Sequence, residues 1–180
     1  MSPILPLAAG LALGLVATVA AQSPPDAPTR ALADERAVIA TADALDHAVD
    51  LGDWAGATAL FAPTVRVDLT AFGAPAVTEM AGRDLVGGWA RNRGTVKTAF
   101  HLRGNHLVRL AGDRATMTSH GYAWNRMPGW GVAEGGDLAE VWGLYEHRLV
   151  RTPAGWRIDG FTFRPLHVRG NAAVFAHIPG

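Results

Sequence analysis

LYEHRLVRTPAGWRI, residues 144–158, carries two alternating runs on either side of Thr152-Pro153-Ala154-Gly155. Pro and Gly two residues apart mark a turn, and apolar side chains at every second position mark strands. The stretch therefore predicts a hairpin that joins a strand over 138–151 to one over 156–168. Upstream, Ala111-Gly112-Asp113 gives the same signal between strands over 97–110 and 114–126. Gly104-Asn105 interrupts the first of these and predicts a bulge or bend, which can reverse the face that His106 uses. Between the hairpins, MPGWGVAEGG (127–136) is too rich in Gly and Pro for a strand and predicts a loop that carries Trp130.

The first half of the chain has a different period. Leu32, Val38, Ile39, Ala42, Leu45 and Val49 recur at three-to-four-residue spacing and predict a helix over 31–49. Gly52 suits a left-handed helix end, and Asp53 suits the N-cap of a short helix from Trp54 to Phe61, stopped at Pro63. Val65-Arg66-Val67-Asp68-Leu69 alternates as a strand. Residues 70–81, with Gly73 and Pro75, read as irregular. A third helix over 83–93 puts Leu85, Val86, Trp89 and Ala90 on one face. Helices first and long antiparallel strands later predict the α+β class, with helices covering one face of a curved sheet.

Composition narrows the function classes. The 180 residues are 49 % apolar and 18 % charged, which fits one domain with a buried core. Sixteen basic residues balance sixteen acidic ones, so no basic surface for phosphates is expected and no nucleic-acid partner. With no cysteine, disulfides, cysteine zinc sites, Fe–S clusters and thiol nucleophiles are excluded. Neither GxxxxGK[ST] nor GxGxxG occurs. The run Ile4–Ala21 is almost wholly apolar, and Val19-Ala20-Ala21 offers small residues for cleavage. It predicts a signal peptide over 1–21 and a periplasmic or secreted product with no membrane contact after cleavage. The alternative is an uncleaved N-terminal membrane anchor. A Pro-rich linker over 22–30, a domain over 31–168 and a C-terminal tail over 169–180 follow. The tail is expected to cover a pocket or a neighbouring subunit, or to fray.

This order of elements resembles the SnoaL-like branch of the NTF2-like superfamily, on five local words: DLGDW (50–54), LFAPTVRVDL (60–69), the His of AFHLRGNHLV (99–108), AGDRATMTSH (111–120) and LYEHRLVRTPAGWRI (144–158). The resemblance spans 33–166. It implies an NTF2-like cone, a strongly curved mixed or antiparallel sheet wrapped around three N-terminal helices, enclosing a mostly apolar pocket. The superfamily includes dehydratases, isomerases, polyketide cyclases, epoxide hydrolases, dehydrohalogenases and non-catalytic binders, so the fold does not decide the activity.

Asp50 and His101 are the informative pair. In relatives like scytalone dehydratase and hexachlorocyclohexane dehydrochlorinase, the matching Asp and His face each other as an acid–base dyad. Imidazole exchanges protons at neutral pH, and a carboxylate on its other nitrogen fixes the tautomer and stabilises the imidazolium. The resemblance thus implies proton transfer without a cofactor on a small apolar or cyclic molecule, as a lyase (dehydratase-like) or isomerase. A binding module with the same pocket, and a homo-oligomer (dimer or trimer) formed through the open sheet face, are the other expectations. Tyr145 falls where scytalone-dehydratase-like enzymes place a pocket Asn, and is expected to donate to an oxyanion or leaving group. Two Tyr positions of that pattern hold Val49 and Leu69 here. Its second His aligns near Arg126, and the dehydrochlorinase's pocket Arg aligns with Phe161. His120, Tyr122, Trp124 and Arg126 share strand parity and are expected at the pocket mouth, where Arg126 would suit a ligand carboxylate. Trp89 completes the expected substrate-binding set; with Trp54 it also suits packing of helix against sheet. No metal site is expected, because His101, His106 and His120 show no HxH or HExxH spacing.

Overall fold

The computed structural model describes residues 26–131 and 135–179. The expected signal peptide and the start of the linker lie outside the described residues. Asp26 ends that linker as an N-cap: its side chain accepts from the N–H of Thr29, with Pro28 in the first turn, where its missing donor costs nothing. Helix α1 therefore begins earlier than the apolar spacing predicts and runs Ala27–Leu51. It ends at Gly52, whose φ of 74° is left-handed and whose N–H reaches Ala48 and Val49. Asp53 caps α2 (Trp54–Ala59) by accepting from the N–H of Gly56 at 2.8 Å.

Strand β1 (Phe61–Asp68) starts before Pro63, not after it. The proline is tolerated because pairing with β2 begins only at Thr64, while pairing with β6 skips from Phe61 to Arg66. No ladder bond is asked of residue 63. Strand β2 (Thr78–Ala81) lies within the stretch read as irregular; it is a four-residue edge strand held by pairing to β1. Helix α3 (Gly82–Arg93) follows, then β3 (Thr98–Ala111), β4 (Arg114–Arg126), β5 (Leu138–Thr152) and β6 (Gly155–Gly170). A last short helix, α4 (Ala173–Ala176), orders the tail, with Val174 fully buried.

The six strands form one mixed, curved and unclosed sheet in the order β2-β1-β6-β5-β4-β3. Among the described residues only the β1–β6 pair is parallel. Helix α1 lies across the inner face, chiefly against β3, and Val38 and Leu45 pack there with Val65, Met117, Leu149 and Ile158. The bulge predicted at Gly104-Asn105 is present. Gly104 opposes His120 but Leu107 opposes Thr118, so one extra residue is inserted. Asn105 absorbs it at a φ of 53°, a conformation that Asn tolerates better than most residues. The insertion turns His106 to the same side as His101 and Arg103. Among the described residues no helix is long and apolar enough to cross a membrane.

Candidate functional site

A helix rises about 1.5 Å per residue and a strand about 3.3 Å, so four helical residues span nearly the distance of two strand residues. Asp46 and Asp50, one turn apart on α1, therefore face Arg103 and His101, two apart on β3. Nδ1 of His101 lies 2.7 Å from Oδ1 of Asp50, and the backbone N–H of His101 donates to Oδ2 at 2.8 Å. Arg103 grips Asp46 with Nε and Nη2. A third rung follows past the bulge, where Nε2 of His106 lies 3.3 Å from Oδ1 of Asp43.

Arg103 is nearly fully enclosed, its side chain only 3 % exposed. Burial alone would push its pKa down. The Asp46 carboxylate outweighs that and raises it above the ordinary guanidinium value. The guanidinium carbon lies 3.9 Å from the centre of the Tyr145 ring, and Nη1 lies 3.2 Å from Nε2 of His147. Burial, then the Arg103 charge, holds the His147 pKa well below the ordinary histidine value, so His147 is neutral. Burial pushes the Tyr145 phenol up to about 12, so it stays protonated through and well above the neutral range. Gly121 makes room for that ring: a Cβ there would sit 2.3 Å from Cε2 of Tyr145.

Of these groups Asp46, His101, Arg103 and Tyr145 open onto a cavity of about 400 Å³. Its walls are aromatic, with Trp54, Phe72, Trp89, Phe161, Phe163 and Phe175, and its polar inserts are few. Such an apolar cavity with a few convergent polar groups is what a small-molecule site requires. Phe175 comes from α4 and meets Phe72 edge-on at 5.5 Å, so the tail closes over its own cavity.

Of the residues expected at the site, Val49, Leu69, Trp89, His101, Tyr145 and Phe161 line the cavity, and Asp50 stands behind His101. His120, Trp124 and Arg126 do not. Strand parity places them together, as expected, but on the opposite face from the buried Ser119 and Ala123. His120 meets Asn105 at 3.0 Å, Trp124 stacks on Phe100, and Arg126 pairs with Asp137 at 3.2 Å. Trp130 stacks on His177 and stays outside the cavity. Among the described residues no three His, Asp or Glu side chains gather as a metal group. Sequence reasoning misses Asp46, Arg93, Arg103 and His147. Asp46 shares a helical face with Asp50, and Arg103 shares a strand face with His101; that double spacing is the signal that could have found the second pair.

A sequence model described as the SnoaL-like domain matches residues 30–162. No curated protein matches the sequence. Among solved structures, a Kribbella flavida protein superposes with a TM-score of 0.74 at 22 % identity, covering 82 % of this chain and 99 % of its own. A scytalone dehydratase candidate from Novosphingobium aromaticivorans gives 0.67 at 17 % identity over 85 % of this chain and 94 % of its own. A type 2 hexachlorocyclohexane dehydrochlorinase gives 0.65 at 12 %, covering 86 % and 99 %. At these identities the similarity is one of fold.

Proposed function

The chain belongs to the SnoaL-like domain family, and on that premise we propose that it is an exported, cofactor-free lyase of the dehydratase type, or an isomerase. Its substrate is a small apolar or cyclic molecule. The observation that carries this reading is the 2.7 Å contact between Nδ1 of His101 and Asp50 at the wall of an apolar cavity. With the carboxylate accepting from Nδ1–H, the lone pair lies on Nε2, where it can take a proton from bound substrate. Asp50 then stabilises the imidazolium that forms. Tyr145 serves as the donor to an oxygen of the substrate or leaving group, because its protonated phenol stands at the cavity wall. Export rests on the apolar run 4–21, which lies outside the described residues. The periplasm or the exterior is the proposed location, and an uncleaved anchor the alternative.

A second reading, a carrier or sensor with the same cavity, is favoured by Val49 and Leu69, which line it with apolar surface where the dehydratase pattern has tyrosines. Self-association as a dimer or trimer is proposed through the outer face of β3–β5, where Phe100, Leu102, Trp124 and Leu144 form a partly exposed apolar row.

Native mass spectrometry of protein purified from its own host tests these readings together. The enzyme reading predicts a bound cyclic product in wild type that is replaced by its precursor in His101→Ala, with both proteins folded. One unaltered compound in both proteins would establish the carrier instead. The mass of the assembly reads the oligomer directly, and a monomer at every concentration would remove that part.

A further inference from the structure

Arg93, the last residue of α3, lines the cavity beside His101. Its Nη2 donates to the backbone carbonyl of Asp50 at 2.9 Å, and its guanidinium lies 5.7 Å from the Trp54 ring centre. Its Nε is buried and has no hydrogen-bond partner. Among the described residues no carboxylate lies within ion-pair distance of it. The cavity's other guanidinium is matched: Arg103 is held by Asp46. Arg93 is thus the one guanidinium lining this cavity, among the described residues, whose charge has no counter-ion.

A half-enclosed cation without an anion carries a cost, which a ligand oxyanion in the cavity would remove. A tie between the ends of α1 and α3 accounts for one bond of Nη2 but leaves the charge of the guanidinium without an anion. We propose that Arg93 anchors a carboxylate of the substrate, and that the ligand is a cyclic or aromatic acid. A guanidinium fork matches a carboxylate in plane, while the Trp54, Trp89 and Phe161 rings suit a flat apolar body. The proposal rests on the small-molecule reading of the cavity and names the class of compound that enters it. It places the reacting part of the ligand near His101, because Arg93 bonds the residue that holds His101.

The test is equilibrium binding of 2-naphthoate and its neutral analogue 2-naphthamide, followed by calorimetry on the wild type, Arg93→Gln and Arg93→Lys. Wild type is expected to bind the carboxylate at least tenfold more tightly than the amide. Arg93→Gln is expected to bind both alike, with amide affinity unchanged, and Arg93→Lys to keep a preference. Equal affinity for the two probes in wild type overturns the proposal, as does a preference that survives Arg93→Gln. Failure of naphthoate to bind overturns it too. Loss of both probes in both variants would mark Arg93 as a structural tie and do the same. The readout is binding, so a protein that holds acids and turns nothing over would sink the proton-transfer reading and leave this one standing.

Discussion

At the scale of single residues, the chemistry turns on which groups hold protons. Burial raises the Tyr145 pKa from 10.0 to about 12. The folded protein therefore keeps a proton that the unfolded chain gives up above pH 10. The stability this contributes is intact below pH 10 and is lost as pH rises through about 12. A rise of that size corresponds to about 3 kcal/mol at most. Urea unfolding of wild type and Tyr145→Phe at pH 9 and pH 11 checks this: wild type should lose more stability between the two values than the variant. Equal losses would contradict the burial of the phenol. Asp50 and His101 were legible in the sequence through the words around them. Arg93, Arg103 and His147 were not, because arginines on helix ends and strands usually face solvent. Only the partner's position in space reveals that these ones are enclosed. His120, Trp124 and Arg126 show the converse limit: parity groups side chains on one face without saying which face is inside.

At the scale of elements, α1 and β3 face each other, among the described residues, through three side-chain rungs, Asp43–His106, Asp46–Arg103 and Asp50–His101. The middle rung is the most enclosed. Asp46→Ala leaves the Arg103 cation buried without an anion, and such breaks cost about 3–5 kcal/mol. Replacing both partners with apolar residues, Asp46→Leu with Arg103→Met, should cost clearly less than the single change. Chemical denaturation of the two proteins measures the difference; a double variant no more stable than the single one would show that the pair is not a buried unit. Helix ends at Gly52 and Asp53 could be read from the sequence because capping is local chemistry; the start at Asp26 could not, because the apolar period begins only at Leu32. Strand β2 and the early start of β1 could not. A four-residue edge strand exists only because β1 pairs with it, and Pro63 is admitted only because the β1–β6 register slips there. The bulge at Asn105 lies between these cases: its residues announce an irregularity, but its consequence for His106 needs the register of β4.

At the scale of the whole molecule, a curved sheet and three helices enclose a cavity of about 400 Å³, and α4 of the same chain closes over it through Phe175. The architecture was legible from the order of periods along the chain. The closing tail was not, because a four-residue helix has too little pattern to distinguish covering from fraying. On the proposed reading, an aromatic cavity with one imidazole backed by a carboxylate moves a proton between a ligand carbon and water. The most direct measurement of that claim is deuterium incorporation. Cyclic ketones and keto acids that bind the protein are incubated with it in D₂O, and carbon-bound deuterium is followed by NMR. Wild type should place deuterium on the carbon next to the carbonyl, and His101→Ala should not. Equal incorporation by both proteins, or a bound ligand that wild type leaves wholly unlabelled, would contradict the proton-transfer claim.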